Sequence, residues 1–183
     1  NSYWDELFFG DGFDVMVDPS DSRYVYAMAQ QGNVARVDRE TGSSRFVRPT
    51  HPDGESLRFN WNAPINFDPS NLETIYYGSQ YVHRSPDKGE SWEIISPDLT
   101  TNDTTKQKQH DSGGITMDAT GAENHTTLLA IEPRPVEKGV IGAASDDGLI
   151  HVTRNDGEDW ENVSKFSRNI PENSRVAQIK DST

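Results

Sequence analysis

The chain repeats itself. "VMVDPSDSRYVYAMAQQGNVARVDRETGSSRFVRP" (15–49) lies over "INFDPSNLETIYYGSQYVHRSPDKGESWEIISP" (65–97), and "LAIEPRPVEKGVIGAASDDGLIHVTRNDGEDWENVS" (129–164) is a third copy. An internal repeat constrains the fold more than any local pattern, because each copy must bury its apolar face against a neighbour. Every copy reads as an apolar strand, an acidic-Pro turn, an apolar strand, a Gly or polar turn, a strand, a polar hairpin and a strand with an aromatic. The acids before proline align as Asp18, Asp68 and Glu132, and the aromatics as Phe46, Trp92 and Trp160.

The segments are short, rich in Val, Ile, Tyr and Phe, and bounded by Pro, Gly, Asp and Ser clusters, which is the signature of strands. No stretch shows a helical stripe. Four short strands per copy make a propeller blade, so the expected fold is all-β: a β-propeller of four-stranded antiparallel blades at about 12–49, 62–97 and 125–164. The long polar stretch 100–124 breaks the rhythm and reads as an insertion between blades. "SRVAQIKD" (174–181) resembles the first strand of a fourth blade. A closed propeller takes about 4–8 blades. The chain therefore reads as a fragment of a larger propeller, or as one whose open edges are covered by another chain.

Composition excludes some functions. A net charge of −13 leaves no basic face for a phosphate backbone, so nucleic acid is not an expected partner. The chain has no cysteine, hence no disulfide framework and no thiolate chemistry. No apolar run approaches the ~20 residues that span a bilayer.

Two hairpins carry a matching motif. "SPDKGESW" holds Ser85, Asp87, Gly89 and Trp92 where "TRNDGEDW" holds Thr153, Asn155, Gly157 and Trp160. A short carboxylate or amide in a turn satisfies backbone N–H groups, glycine permits positive φ, and an indole supplies a large area to bury. A motif that recurs per blade builds the fold, since chemistry happens once.

S/T-x-D-x-G-x-x-W resembles the Asp-box, or BNR repeat, of sialidases, sortilin-like propellers and related glycoside hydrolases. The first hairpin matches at every defined position, the second departs with Asn155, and "VDRETGSSRF" (37–46) is a degenerate version one residue longer. With "GDGFDVMVDPSD", "RFNWNAPINFDPSN" and "DDGLIHVTRNDGEDW", nearly the whole chain is similar to a group of large bacterial proteins labelled glycosyl hydrolases or sortilin-like. That resemblance implies an exported, extracytoplasmic protein. It also implies that the Asp of the box bonds turn backbone and that its Trp packs against the blade.

Propellers bind ligands at the channel mouth, on the loops leading into the innermost strands. Three such loops are "GDGF", "NWNAP" and "ENHT", which offer Asp11, Asn60, Trp61, Asn62, Glu123, Asn124 and His125. Aromatic faces flanked by amides and carboxylates suit a glycan or an extended peptide. Asp11 and Glu123 are also candidates for the acid pair of a glycoside hydrolase, which needs carboxyl groups about 5–10 Å apart. Sialidase chemistry fits less well, because that family places an arginine where "NAPI" has Asn62. His110, Asp111 and Ser112 are adjacent in sequence, whereas triads are assembled from separate segments. No spacing resembles a zinc site, and no cofactor or metal is expected. The first expectation is a non-catalytic binding or scaffold propeller; the alternative is a glycoside hydrolase.

Overall fold

The computed structural model describes residues 6–108, 124–166, 171 and 174–180. Among the described residues twelve strands form three sheets, each ordered as in the sequence and antiparallel throughout. Blade one holds β1 (Gly12–Val17), β2 (Tyr24–Ala29), β3 (Asn33–Asp38) and β4 (Ser44–Phe46). Blade two holds β5 (Ile65–Asp68), β6 (Asn71–Gly78), β7 (Val82–Ser85) and β8 (Glu93–Ile94). Blade three holds β9 (Leu128–Pro133), β10 (Ile141–Ser145), β11 (Ile150–Thr153) and β12 (Glu161–Asn162). Helix among the described residues is confined to two single 3-10 turns, Thr104–Lys106 and Ser164–Phe166.

The central strands are apolar on both faces because each blade has two sides to cover. Side chains alternate along a strand, so Tyr26 and Met28 face blade two while Ala27 joins Ala35 and Val37 on the opposite side. The same alternation divides neighbouring tyrosines in β6. Tyr77 packs with Tyr26, Met28, Val34 and Phe67 between blades one and two. Tyr76 packs with Val82, Leu128, Ile131 and Ile141 between blades two and three. Each fully buried large side chain contributes roughly 1.5–3 kcal/mol, and the Tyr77 hydroxyl avoids a penalty by donating to the Gly32 carbonyl at 3.0 Å.

Both matching hairpins join the third and fourth strands of a blade and reach the blade before it. The Ser85 hydroxyl accepts from the Gly89 N–H at 2.7 Å, and the Asp87 carboxylate accepts from the Ser91 N–H at 2.8 Å. Thr153 and Asn155 repeat this with Gly157 and Asp159, at 3.0 Å each. Burial alone would raise the Asp87 pKa, but the bonds from Ser91 and Ser85 outweigh it and hold the carboxylate below its ordinary value. The Trp92 indole packs against Tyr77 and His83 of its own blade, at centroid distances of 6.2 and 6.4 Å, and both indoles also reach across to the blade before. Both are half-buried, and each Nε1–H donates at 2.8 Å to the preceding blade, Trp92 to the Val47 carbonyl and Trp160 to the Ile95 carbonyl. Gly89 and Gly157 share φ 94°. A Cβ there would lie 2.9 Å from Val47 Cβ and 2.6 Å from the Ile95 carbonyl oxygen, so only glycine allows the approach.

The register corrects one alignment made from sequence. Pro133 pairs with Ile141 as Val17 pairs with Val25 and Phe67 with Ile75. The residue after Pro133, Arg134, therefore stands where Asp18 and Asp68 stand, and Glu132 lies two places earlier. The second proline of "EPRP" marks the turn.

Val176–Lys180 belongs to no sheet but lies against blade three in the place of a fourth inner strand. The Leu128 N–H, at the start of β9, donates to the Ser79 carbonyl of blade two at 2.7 Å, and the Val176 N–H donates to the Ser145 carbonyl of blade three at 3.2 Å. Leu128 and Ile131 pack with Tyr76 and Val82 of blade two, and Val176 and Ile179 pack with Ala144 and Ile150 of blade three, Ile150 standing where Val82 stands. Val176 and Ile179 thus meet blade three as Leu128 and Ile131 meet blade two.

Candidate functional site

An up-and-down blade places the loop into its first strand beside the turn between its second and third. The hairpin between the third and fourth strands lies at the other end. The hydrogen bonds follow that geometry: Asp11 N–H donates to Gln30 Oε1 at 3.2 Å, and Asp146 N–H to the Thr127 carbonyl at 3.0 Å. The three leading loops and the three inner turns make one end, the mouth.

At the mouth, Phe13 and Trp61 pack with ring centroids 5.6 Å apart and planes 50° apart. Trp61 is half-buried and Phe13 is 36% exposed, so both keep ring surface open to solvent. Asp11 and Asn62 stand exposed nearby in chain. Below them, Asp14, Asn62, Asn66, Glu132, Gln178 and Lys180 line a polar cavity of about 250 Å³ along the inner strands. Asn66 Nδ2 crosses from β5 to Glu132 Oε2 at 3.2 Å. Asp14, Asn66 and Glu132 reach this cavity from β1, β5 and β9, a contribution that sequence reading of the loops alone passes over.

The other loop residues are more deeply engaged. Asn60 is buried, and its Nδ2 lies 3.1 Å from each of three acceptors: the Asn124 carbonyl, Thr127 Oγ1 and Asp146 Oδ2. Its Oδ1 accepts from the Trp61 N–H at 2.9 Å and from Arg175 at 3.2 Å. Asn124 returns a bond from Nδ2 to the Phe59 carbonyl at 2.8 Å. Asp146, also buried, accepts from the Thr127 N–H and hydroxyl at 3.0 Å each, and the His125 imidazole is 4.0 Å from it. Asn60 and Asn124 therefore rivet blade two to blade three, and they fix the backbone that holds Trp61. Glu123 lies outside the described residues, as do His110, Asp111 and Ser112.

A second rivet is absent from the loop reading. Arg58 Nη2 bonds Asp98 Oδ2 at 2.6 Å and its Nε bonds the Thr126 carbonyl at 3.1 Å. Asp147 accepts from the Thr101 N–H and hydroxyl at 2.7 and 2.8 Å. A hydroxyl–imidazole pair exists in Ser79 and His83, 2.8 Å apart. Both residues are wholly buried, and burial pushes the His83 pKa down to about 4, so the pair is a packing element that no substrate reaches. Among the described residues no three His, Asp or Glu side chains are grouped to hold a metal ion. No helix among them is long and apolar enough to cross a membrane.

No family model and no curated protein sequence matches the chain. Among solved structures it is similar to an ancestral GH74 enzyme, at 19% identity and TM-score 0.52, over 84% of this chain and 18% of that one. It is also similar to YCF48 bound to D1 peptide, at 13% identity and TM-score 0.49, over 84% of this chain and 39% of that one. A GH74 enzyme of Niastella koreensis aligns at 14% identity and TM-score 0.47, over 83% and 22% of the respective chains. The chain spans well under half the length of each of these proteins. The likeness to the ancestral GH74 enzyme agrees with the three sheets: this is β-propeller architecture, three blades and the start of a fourth.

Proposed function

We propose that the chain is the non-catalytic binding part of a larger, exported propeller, and that its mouth holds a glycan or an extended peptide across Phe13 and Trp61. The observation that carries this reading is the open aromatic pair, braced from beneath by Asn60 and flanked by the exposed Asp11 and Asn62. Two ring faces bury apolar sugar or side-chain surface, while amide and carboxylate oxygens take hydroxyl or peptide N–H groups. Bracing matters because a platform already held in shape has less freedom to lose on binding. Ser/Thr, Asp/Asn, Gly and Trp recur with one hydrogen-bond pattern in two hairpins, which supports an Asp-box propeller of the sortilin-like, BNR-repeat kind. Glycoside hydrolysis gains less support: of the acid pair it would use, Asp11 stands exposed and Glu123 lies outside the described residues.

A glycan and peptide array probed with the chain, followed by titration of each hit, tests the reading. Binding should fall at least tenfold in Trp61→Ala and in Phe13→Ala, with no turnover of the ligand. Hits indifferent to both substitutions, or cleaved on incubation, would overturn it.

A further inference from the structure

The contacts that close the two blade interfaces leave a third set open on blade three. Val47, Ile95 and Val163 are equivalent, because their N–H groups bond the carbonyls of Val34, Val82 and Ile150 at 3.0, 3.0 and 2.8 Å. The first two have their own carbonyls occupied by Trp92 and Trp160, and both side chains are buried. Val163 is only half-buried. The same blade carries a cavity of about 260 Å³ lined by Gly142, Ile150, Val152 and Ile179, with Glu132, Arg134 and Lys180 among its walls.

We propose that this face of blade three is the docking surface for a further four-stranded blade whose inner strand is Val176–Lys180. That blade presents a Gly-x-x-Trp hairpin, with its glycine at positive φ against Val163 and its indole N–H on the Val163 carbonyl. Three observations select this occupant. The contact is built twice already, with the same 2.8 Å bond each time. Its first element is in place, since Val176 and Ile179 sit on blade three as Leu128 and Ile131 sit on blade two. Finally, a second copy of this chain offers the wrong chemistry. Its first-blade hairpin carries Phe46, which has no N–H to donate and packs instead beside Phe8 and Phe9, at centroid distances of 5.4 and 6.0 Å.

The chain's own second-blade hairpin supplies the probe: a backbone-cyclised peptide of residues 81–97, titrated into the isotope-labelled chain. Amide shifts should centre on Val163, Ile150 and Val152, and the thermal midpoint of the chain should rise. A Trp92→Phe peptide, keeping the ring and losing the donor, should bind roughly five- to tenfold more weakly. Val152→Glu in the chain, on the open face, should abolish the shifts while leaving the rest of the spectrum in place. No shifts at millimolar peptide, shifts away from this face, or equal affinity for the Trp92→Phe peptide would each overturn the proposal. So would a concentration series without peptide in which the same amides move, since a second copy would then be the occupant.

Discussion

The two blade interfaces share an indole bond and a glycine approach, yet they are locked at opposite ends. Between blades one and two the lock is at the hairpin end. Lys88 reaches Asp18 at 2.9 Å, Glu73 at 3.2 Å and the Ser20 hydroxyl at 2.7 Å, and the Tyr26 hydroxyl donates to the Lys88 carbonyl at 2.8 Å. Burial alone would raise the Asp18 pKa, but the bonds from Ser20 and Lys88 outweigh it and keep the carboxylate ionised. Between blades two and three the residue in the place of Lys88 is Asp156, and the acid across from it is Asp68. Among the described residues no ammonium closes that end; Arg84 pairs with Glu93 of its own blade at 2.7 Å and reaches across to the Asp156 carbonyl at 3.3 Å. The lock lies at the mouth instead, in Asn60, Asp146 and Thr127. A repeat thus fixes where blades meet and leaves open where they are fastened. The fastening at the mouth coincides with the candidate site.

Removing the mouth lock should have the largest effect. Asp146→Ala leaves the Thr127 N–H, its hydroxyl and the Asn60 amide without their buried acceptor, and should cost roughly 3–4 kcal/mol in a urea titration. A loss below about 1 kcal/mol would mean that the network is slack. Acid is the next probe. The folded state holds His83 near pKa 4, while the unfolded chain protonates near its ordinary 6.5. The unfolded state therefore binds more protons between those values, and stability should fall as pH drops from about 6.5 to 4, by roughly 3 kcal/mol in all. His83→Gln should flatten that slope. His151 stands in the equivalent place on blade three, and burial lowers its pKa too, so it should leave a smaller residual slope.

Two smaller effects separate the shared contacts from the differing ones. Trp92→Phe and Trp160→Phe each remove one hydrogen bond and should cost about 1 kcal/mol apiece by thermal melt. Unequal costs would show that the two indole bonds are not equivalent. Asp156→Lys copies the Lys88 lock into the second interface and should stabilise by about 0.5 kcal/mol, with the gain fading in high salt. A destabilised variant would show that Asp156 has a role at that end which Lys88 does not share.

Much of the fold was legible because blade-forming information is local and repeated. Strands alternate in sequence, turns carry Pro, Gly and Asp, and the tryptophan hairpin recurs with Asn155 in place of the Asp. What the sequence did not disclose is where the repeats touch. Nothing local to Asn60 marks it as the partner of Asp146, 86 positions away. A polar loop residue reads as a ligand contact until the neighbouring blade is seen against it. Arg58 and Asp98 escaped for the same reason, being 40 positions apart on segments outside any strand. The misplacement of Glu132 has a different origin: two prolines follow closely in "EPRP", and only the strand register tells which one marks the turn. Trp61 and Asn62 are legible from their residue types, and the inner-strand positions Asp14, Asn66 and Glu132 are not, because the cavity they share forms only once β1, β5 and β9 are assembled.

The proposed division of labour is between tryptophans: Trp92 and Trp160 fasten neighbouring blades through their hairpins, and Trp61 at the mouth holds the ligand. One paired measurement addresses it: thermal melts and titration of an array hit for Trp61→Ala and Trp92→Ala side by side. Trp92→Ala, which loses both an interblade bond and half-buried ring surface, should cost about 3 kcal/mol in the melt and bind normally below its midpoint. Trp61→Ala should bind at least tenfold more weakly with a melt close to that of the parent chain. If the two variants exchange these behaviours, or if Trp61→Ala loses stability and affinity together, the mouth is part of the scaffold and the assignment of the site is wrong.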